Sequence, residues 1–473
     1  MERGRVSYTL YAHQKKILEL LTENDRFLLL AEQGTGKTLP TVIHLSNLFL
    51  GGEAENALIV APLSGLGAWH RDISKLSSDR QRVLKDKITF INYDKLSREG
   101  SKYQKMCWRD WDCVILDEGH AIAKPDSNRT QYFIGRASML GLAARAKYRY
   151  LLTGTLITNG KLEDLWSPLR FILDDDWMDY RDFKAHYLVT KPILGTYRDF
   201  VVGYRHREEL LALVAKHSYR VLKSDCLDLP EELPDEIVYV PFSDKKNPAP
   251  FNVCTKDLYI TALESYVEAL NMVMDNPLVR MTRLRQIAAG HLKESDLIDN
   301  NGKKVKGAVY RLNSNKIKYA LELIENTLPH KTVVFYEYTE TCHALEEALT
   351  KAKIAHVSLN GAQKNKRIWE DFQADENIKV IVVQYQTGAS AIDLFAASHT
   401  IYIEPTNKSL MLEQSRARTH RSGQLWPCNY TFLLTEDTIE VDIYNTVAKH
   451  VDFEEEAYRE MALARLRQLK GNR

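Results

Sequence analysis

None of the six cysteines, Cys107, Cys113, Cys226, Cys254, Cys342 and Cys428, forms a Cys-x-x-Cys pair. That excludes the common zinc-ribbon and dithiol motifs, and six cysteines in 473 residues are too sparse for a disulfide scaffold. Reduced, intracellular thiols follow. Long apolar runs are missing as well. The richest stretches, RFLLLA from Arg26 and LFLGG from Leu48, fall far short of the roughly 20 residues that cross a bilayer. The opening MERGRVSYTL has no apolar core of a secretory signal, so a soluble, cytoplasmic protein is expected. Excess charge of one sign is absent too: Lys and Arg total 64 against 63 Asp and Glu, a net charge of +1. Any nucleic-acid site must then be a local cleft rather than a basic surface. Repeats and low-complexity tracts do not occur.

What is present is an ordinary globular composition, 44% hydrophobic and 27% charged. At roughly 100–200 residues per domain, the length allows two to four compact units. Short apolar runs recur between turn residues. In the first half they are FLLLA from Phe27, ALIVAP from Ala57, ITFIN from Ile88, CVILDE from Cys113 and YRYLLTG from Tyr148. In the second half they are TVVFY from Thr332, AHVSLN from Ala355, KVIVVQ from Lys379, HTIYIEP from His399 and NYTFLL from Asn429. Each is continuously apolar and too short for a typical helix, as a strand buried on both faces should be. Helical spacing fills the gaps, as in TETCHALEEALTKA from Thr339. Strand–helix alternation implies α/β lobes with parallel sheets, over 1–228 and 308–450. Between them, the proline-rich LPEELPDEIVYVPFSDKKNPAP opens an expected linker with helices over 229–307. Residues 451–473 read as a C-terminal amphipathic helix, acidic at its start and basic at its end.

After the first strand comes Ala31-Glu32-Gln33-Gly34-Thr35-Gly36-Lys37-Thr38 and then a helical stretch. Strand, glycine loop, GKT and helix make a P-loop in its proper context. Gly34 and Gly36 let backbone N–H groups turn toward phosphates, with Thr35 between them, and the helix N-terminus adds its dipole. Lys37 is expected to neutralise the β- and γ-phosphates of ATP, and Thr38 to ligate Mg²⁺. The bland alternative is a chance glycine turn. The run from Cys113 ends in Asp117-Glu118-Gly119-His120, where α/β folds place ligands. Asp117 is expected to hold Mg²⁺ and Glu118 to orient or deprotonate the attacking water. A solvated strand-end pair would look the same, but the P-loop upstream supplies the chemistry that needs it.

Along nearly its whole length the chain resembles the superfamily-two helicases, specifically the Swi/Snf-like DNA translocase group in a compact, phage-like form. LYAHQ at Leu10 resembles the glutamine motif, AEQGTGKT motif I, and ALIVAPLSGLGAW motif Ia, followed by ITFINYDKLS. DEGHAIAKPDSNRT resembles motif II and LLTGTLITNG motif III; YRVLKSDCLDLP and RLRQIAAGHL match later segments. KTVVFYEYT resembles motif IV, VQYQTGASAIDLFAASHTIYIEP motif V, and Gln414 to Gln424 the pattern Q-x-x-x-R-x-H-R-x-G-Q of motif VI. Ala31, Gly119, Leu156, Ala391 and Asp393 depart from the group's usual residues. Gly119 in place of Ala is expected to be tolerated sterically.

The resemblance implies two RecA-like lobes. It makes Gln14 an adenine reader, Asp393 and Gly388 nucleotide contacts, and Arg421 with Arg418 arginine fingers supplied to the γ-phosphate by the second lobe. It assigns nucleic-acid contact or coupling to Pro62, Leu63, Ser64, Gly65, Thr153, Gly154, Thr155, Asn360, Gly361, Thr387, Gln414 and His420. His420 is equally readable as a structural histidine, Lys124 and Lys364 as solvated charges, and Trp69 and Trp369 as core aromatics. The implied activity is an ATP- and Mg²⁺-dependent, monomeric motor that remodels duplex or branched DNA in replication, recombination or repair, with no room for the group's nucleosome-reading modules. For a phage-encoded chain the compartment is the host cytoplasm. The alternatives are an RNA helicase and a nucleotide-gated clamp without motor activity.

Overall fold

The computed structural model describes residues 9–62, 65–96, 109–135, 140–157, 160–173, 177–192, 199–269, 277–294, 297–298, 304–305, 307–361, 365, 367–388, 392–453 and 455–471. The chain divides into two compact units, Met1–Asp228 and Leu229–Arg473. Each is built on one six-stranded parallel sheet.

The first unit supplies β1 (Arg26–Ala31), β2 (Ala57–Val60), β3 (Ile88–Ile91), β4 (Cys113–Asp117), β5 (Tyr148–Thr153), the antiparallel hairpin β6 (Leu188–Pro192) and β7 (Asp199–Tyr204), and β8 (Ser218–Val221). Six strands pair in the order β3-β2-β4-β5-β1-β8, all parallel. Alternate side chains feed opposite cores. Leu28, Leu116 and Leu151 enter one; Leu29, Ile115 and Leu152 enter the other. This is why the inner strands are apolar throughout. The order also sets the chemistry: β1 and β4 flank β5, so the ends of the P-loop strand and the acidic strand open on the same edge of the sheet.

The second unit supplies β9 (Glu236–Val240), β10 (His291–Lys293), β11 (Leu297–Ile298), β12 (Lys304–Val305), β13 (Val309–Arg311), β14 (Thr332–Tyr336), β15 (His356–Leu359), β16 (Val380–Gln384), β17 (His399–Tyr402) and β18 (Asn429–Thr435). Its sheet runs β15-β16-β14-β17-β18-β9, again wholly parallel. The two-lobe α/β architecture expected from the strand–helix alternation is therefore present. Each of the ten short apolar runs read as strands contains an inner or edge strand of one of these sheets.

Two edge strands escaped that reading. β8 and β9 pair on one side only, and Glu236 and Tyr239 of β9 are exposed. Such strands lack the continuous apolar signature of a buried one. The stretch read as linker is thus largely built into the second unit. Its helices Thr255–Ala269 and Pro277–Ala289 bury Tyr259, Leu263 and Leu284 in the same core as Phe335 and Phe432. The C-terminal helix Glu455–Gly471 adds Tyr458, Ala462 and Leu469. Among the described residues, no helix is long and apolar enough to cross a membrane, and Cys113, Cys226, Cys254, Cys342 and Cys428 are free thiols.

Candidate nucleotide site and coupling residues

The P-loop lies between β1 and α2 (Thr38–Leu50), and is braced by α1 (Ala12–Glu23). Gly34 and Gly36 hold φ at 91° and 75°, a region glycine enters without steric cost. A side chain at Gly36 would meet the Gln14 amide nitrogen at 2.4 Å. Gln14 is buried; its Nε2 donates to Gly36 O at 3.0 Å, and its Oε1 accepts from Tyr11 N at 3.1 Å. His13 lies beside it with Nε2 2.7 Å from Thr35 O. The structure therefore engages the Gln14 amide in shaping the loop. His13, unremarked in the sequence, shares that role.

Lys37 is buried, with Nζ 3.4 Å from Glu118 Oε1 and 3.5 Å from Ala31 O. Gln33 Nε2 donates to the same Glu118 oxygen at 3.2 Å. Glu118 itself adopts the left-handed region, φ 52° and ψ 51°, an uncommon conformation for a residue with a Cβ. It turns the carboxylate from the end of β4 back toward the loop. His120 Nδ1 lies 3.5 Å from Glu118 Oε2 and 3.1 Å from Thr153 Oγ1, linking motif II to motif III. Burial lowers the His120 pKa, against the nearby Glu118 charge. Burial also raises the Asp117 carboxyl, against the Lys37 charge and hydrogen bonds from Trp69 and the Glu118 N–H.

An ammonium, a glycine loop at a helix N-terminus, the Thr38 hydroxyl at the start of α2 and the Asp117 carboxylate are brought to one end of one sheet. Hard oxygen donors beside a phosphate cradle fit a nucleotide with Mg²⁺. Gly119 carries a further reason. A Cβ there would sit 2.2 Å from Leu151 Cγ, so glycine in place of the group's usual Ala is tolerated, as expected, and the neighbouring Leu151 favours it.

In the first unit, the described coupling candidates Pro62, Gly65, Thr153, Gly154 and Thr155 lie at or just after the ends of β2 and β5. Thr153 Oγ1 donates to Thr155 O at 2.9 Å, and Gly154 abuts the backbone of Ala31 and Glu32. Gly65 precedes α3 (Leu66–Ser74) in a close-packed spot: a Cβ would lie 3.3 Å from Pro62 O and 3.6 Å from Asp117 Oδ2. Leu63, Ser64, Lys364 and Ala391 lie outside the described residues. Trp69 and Trp369 are buried, as expected of core aromatics. Trp69 does more: its Nε1 donates to Asp117 Oδ2 at 2.9 Å. Tyr93, from the segment after motif Ia, donates its hydroxyl to Asp117 O at 2.8 Å. A buried Trp or Tyr needs a partner for its polar handle, but the sequence does not say which.

In the second unit, Thr387 and Gly388 form a single helical turn after β16, while Asn360 and Gly361 follow β15. Asp393 and Arg421 form an ion pair, and Arg421 Nη1 also lies 3.4 Å from Ile392 O. Arg418 is buried, and Gln414 is half-buried on the helix Ser409–Thr419. His420 Nε2 lies 2.8 Å from Pro230 O, a structural contact within the lobe. Arg416 is held by both oxygens of Asp235, at 2.8 and 2.6 Å, over the Tyr430 ring. Motif VI is thus tied to the chain just before β9.

Elsewhere, among the described residues, His186, His206 and Glu209 bring potential ligand atoms within 4.8 Å. The two imidazoles stack with planes 16° apart. One ion cannot lie in both ring planes in that arrangement, so the cluster is a stacked surface contact.

The SNF2-related domain family matches residues 13–291, and the helicase conserved C-terminal domain family matches residues 315–423. SNF2 domain-containing protein ENL1 of Oryza sativa subsp. japonica is 24% identical over 93% of this chain and 51% of its own. Protein CHROMATIN REMODELING 24 of Arabidopsis thaliana is 23% identical over 93% of this chain and 46% of its own. The SWI/SNF chromatin-remodeling complex subunit snf22 of Schizosaccharomyces pombe is 24% identical over 95% and 28%. The chain spans about half the length of these curated relatives or less. The Sulfolobus solfataricus SWI2/SNF2 ATPase core in complex with dsDNA aligns over 99% of this chain and 96% of that one, at 20% identity and a TM-score of 0.40.

Proposed function

Because this chain belongs to the SNF2-related family, we propose that it is an ATP-driven translocase acting on duplex or branched DNA. The observation that supports the reading best is the convergence of Lys37, Glu118 and Asp117 at the end of one sheet, with Lys37 Nζ 3.4 Å from Glu118 Oε1. ATP with Mg²⁺, when bound, supplies a phosphoanhydride whose cleavage drives conformational work. The residues divide the task. Lys37 offers a compact positive charge to phosphate, and Thr38 and Asp117 offer oxygens to the metal. Glu118 Oε1 and Oε2 are the basic atoms that orient water and take its proton. Arg418 and Arg421 are the candidates for stabilising transition-state charge, because a guanidinium stays ionised and can bind two oxygens at once.

The choice of DNA over RNA follows motif VI ending in Gly423-Gln424 and the Swi/Snf character of the relatives. The backbone-rich segments Pro62–Gly65 and Asn360–Gly361 suit phosphate contacts, which position a strand without reading its sequence. The testing experiment is ATPase activity with duplex, single-stranded and branched DNA and with RNA, side by side. Strongest stimulation by duplex or branched DNA is expected. Stimulation by RNA alone would replace the translocase with an RNA helicase, and nucleotide-dependent binding without turnover would replace it with a clamp.

A further inference from the structure

The hydrogen bond between Trp69 and Asp117 has no place in the division of labour above. Trp69 is fully buried on α3, and its indole has one donor, which goes to Asp117 Oδ2 at 2.9 Å. The other oxygen, Oδ1, accepts from Glu118 N at 3.0 Å. Two donors therefore fix the rotation of the carboxylate, one from the adjacent peptide and one from a helix 48 residues away in sequence. The same Oδ2 faces Gly65, where a Cβ would already lie 3.6 Å away. Gly65 and Trp69 are four residues apart, on one face of the first turn of α3. The Trp69 ring is held edge-on by Phe90 of β3, centroids 6.4 Å apart. Helix α3 cannot rotate or slide without moving the donor that orients Asp117. Just before this helix the Gly65 N–H donates to Pro62 O at 2.8 Å, and Pro62 and Gly65 are among the residues expected to contact nucleic acid.

We infer that Trp69 is a positioning residue: its indole N–H holds Asp117 in the orientation that receives Mg²⁺, and ties that orientation to nucleic-acid contact at Gly65, the head of α3. The inference rests on the nucleotide site proposed above and adds a route by which DNA regulates it. Energetic coupling of this kind is reciprocal. Duplex DNA at Gly65 should strengthen Mg²⁺ binding, and loss of the N–H should weaken both the metal site and its response to DNA.

The test removes the donor while keeping the ring. Trp69→β-(3-benzothienyl)alanine, with sulfur in place of the N–H, is made by nonsense suppression in the full chain, alongside Trp69→Phe. Binding of a fluorescent, non-hydrolysable ATP analogue is then titrated with Mg²⁺, with and without duplex DNA. In the wild type, duplex is expected to lower the Mg²⁺ concentration for half-maximal binding. Loss of a hydrogen bond to a charged group should raise that concentration about tenfold and shrink the duplex effect toward none. The benzothienyl chain should melt close to the wild type, separating loss of the donor from loss of packing. A Mg²⁺ requirement unchanged by the sulfur analogue, or a duplex effect that survives it, overturns the inference. Absence of Mg²⁺-dependent nucleotide binding in the wild type would instead overturn the site on which it rests.

Discussion

Lys37 and Glu118 neutralise each other across 3.4 Å, and their removal should fail differently. Lys37→Ala takes away phosphate charge, so nucleotide affinity falls together with turnover. Glu118→Gln keeps Asp117 for the metal and removes the base, so nucleotide stays bound and unhydrolysed. Equilibrium binding measured beside steady-state ATPase separates the two; near-normal hydrolysis by Glu118→Gln would discard the catalytic assignment. Arg421 poses a sharper question, because the structure pairs it with Asp393. As a transition-state cation, Arg421→Ala should cost on the order of 10³ or more in ATPase rate, with much less effect on nucleotide binding. A twofold fall would leave it as the structural partner of Asp393 and move the role to Arg418. Gly119 gives a stability prediction. Gly119→Ala drives a methyl into Leu151, and overpacking of this kind costs roughly 1–3 kcal/mol. Leu151→Ala in the same chain should make the two costs less than additive in a denaturant-melting cycle.

At the scale of elements, the second sheet buries ionisable groups just beyond its strand ends. Lys316 is fully buried, with Nζ donating to Ile403 O at 2.7 Å, Leu433 O at 3.2 Å and Glu440 Oε1 at 2.7 Å. Glu404, following β17, accepts from Glu337 N at 3.0 Å and from Thr341. Burial pushes the Glu404 carboxyl up to about 7, against the nearby Lys316 charge. Its folded value lies above the ordinary 4.5, so its favourable contribution is full below about 4.5 and is lost as pH rises through 7. The loss amounts to about 3 kcal/mol. His291 of β10 runs the other way. Burial pushes it down to about 4 from 6.5, so its contribution is full above 6.5 and is lost as pH falls through 4. The two slopes oppose each other between 4.5 and 6.5. Glu404→Gln keeps an acceptor for Glu337 N and removes one slope. The variant should gain stability relative to wild type at pH 8, and should lose it more steeply on acidification. Urea midpoints from pH 4 to 8 check both signs, and parallel curves for the two proteins would refute the assignment.

For the whole molecule, translocation needs a gripping motor, whereas separating a plain duplex also needs a wedge. The sequence shows no long insertion of that kind. The structure does contain the β6–β7 hairpin, with Phe200 and Val202 exposed, but Leu188 enters the first unit's core and Tyr204 donates to Glu163 at 2.6 Å. With the hairpin docked in this way, the proposed translocase is expected to move along duplex and to unwind tailed substrates poorly. Branched DNA should be processed better, since base pairs lost on one arm form on another. Binding should weaken steeply with log salt, because the contacts expected of a translocase cleft are mostly to phosphate. Third-strand displacement and junction processing measured against tailed-duplex unwinding decide the matter. Efficient unwinding without duplex-stimulated ATPase would sink the translocase and point to the exposed Phe200 of β7, where Phe200→Ser should then abolish it.

Local pattern alone determined much of this protein. The continuously apolar strands, the glycine loop before α2 and the Asp117-Glu118 end of β4 are visible because burial on both faces and phosphate-sized turns impose their residues over a few consecutive positions. What lies across the sheet is different in kind. The edge strands β8 and β9 carry half-exposed, mixed sequences, and only their pairing partners make them strands. That glycine is favoured at position 119 depends on Leu151. The partner of the Trp69 N–H is Asp117, that of Arg416 is Asp235, and that of Arg421 is Asp393. Each of these links joins positions far apart in the chain, between residue types that have many equally suitable partners. The order of parallel strands decides which of them meet, and that order exists only in the folded molecule.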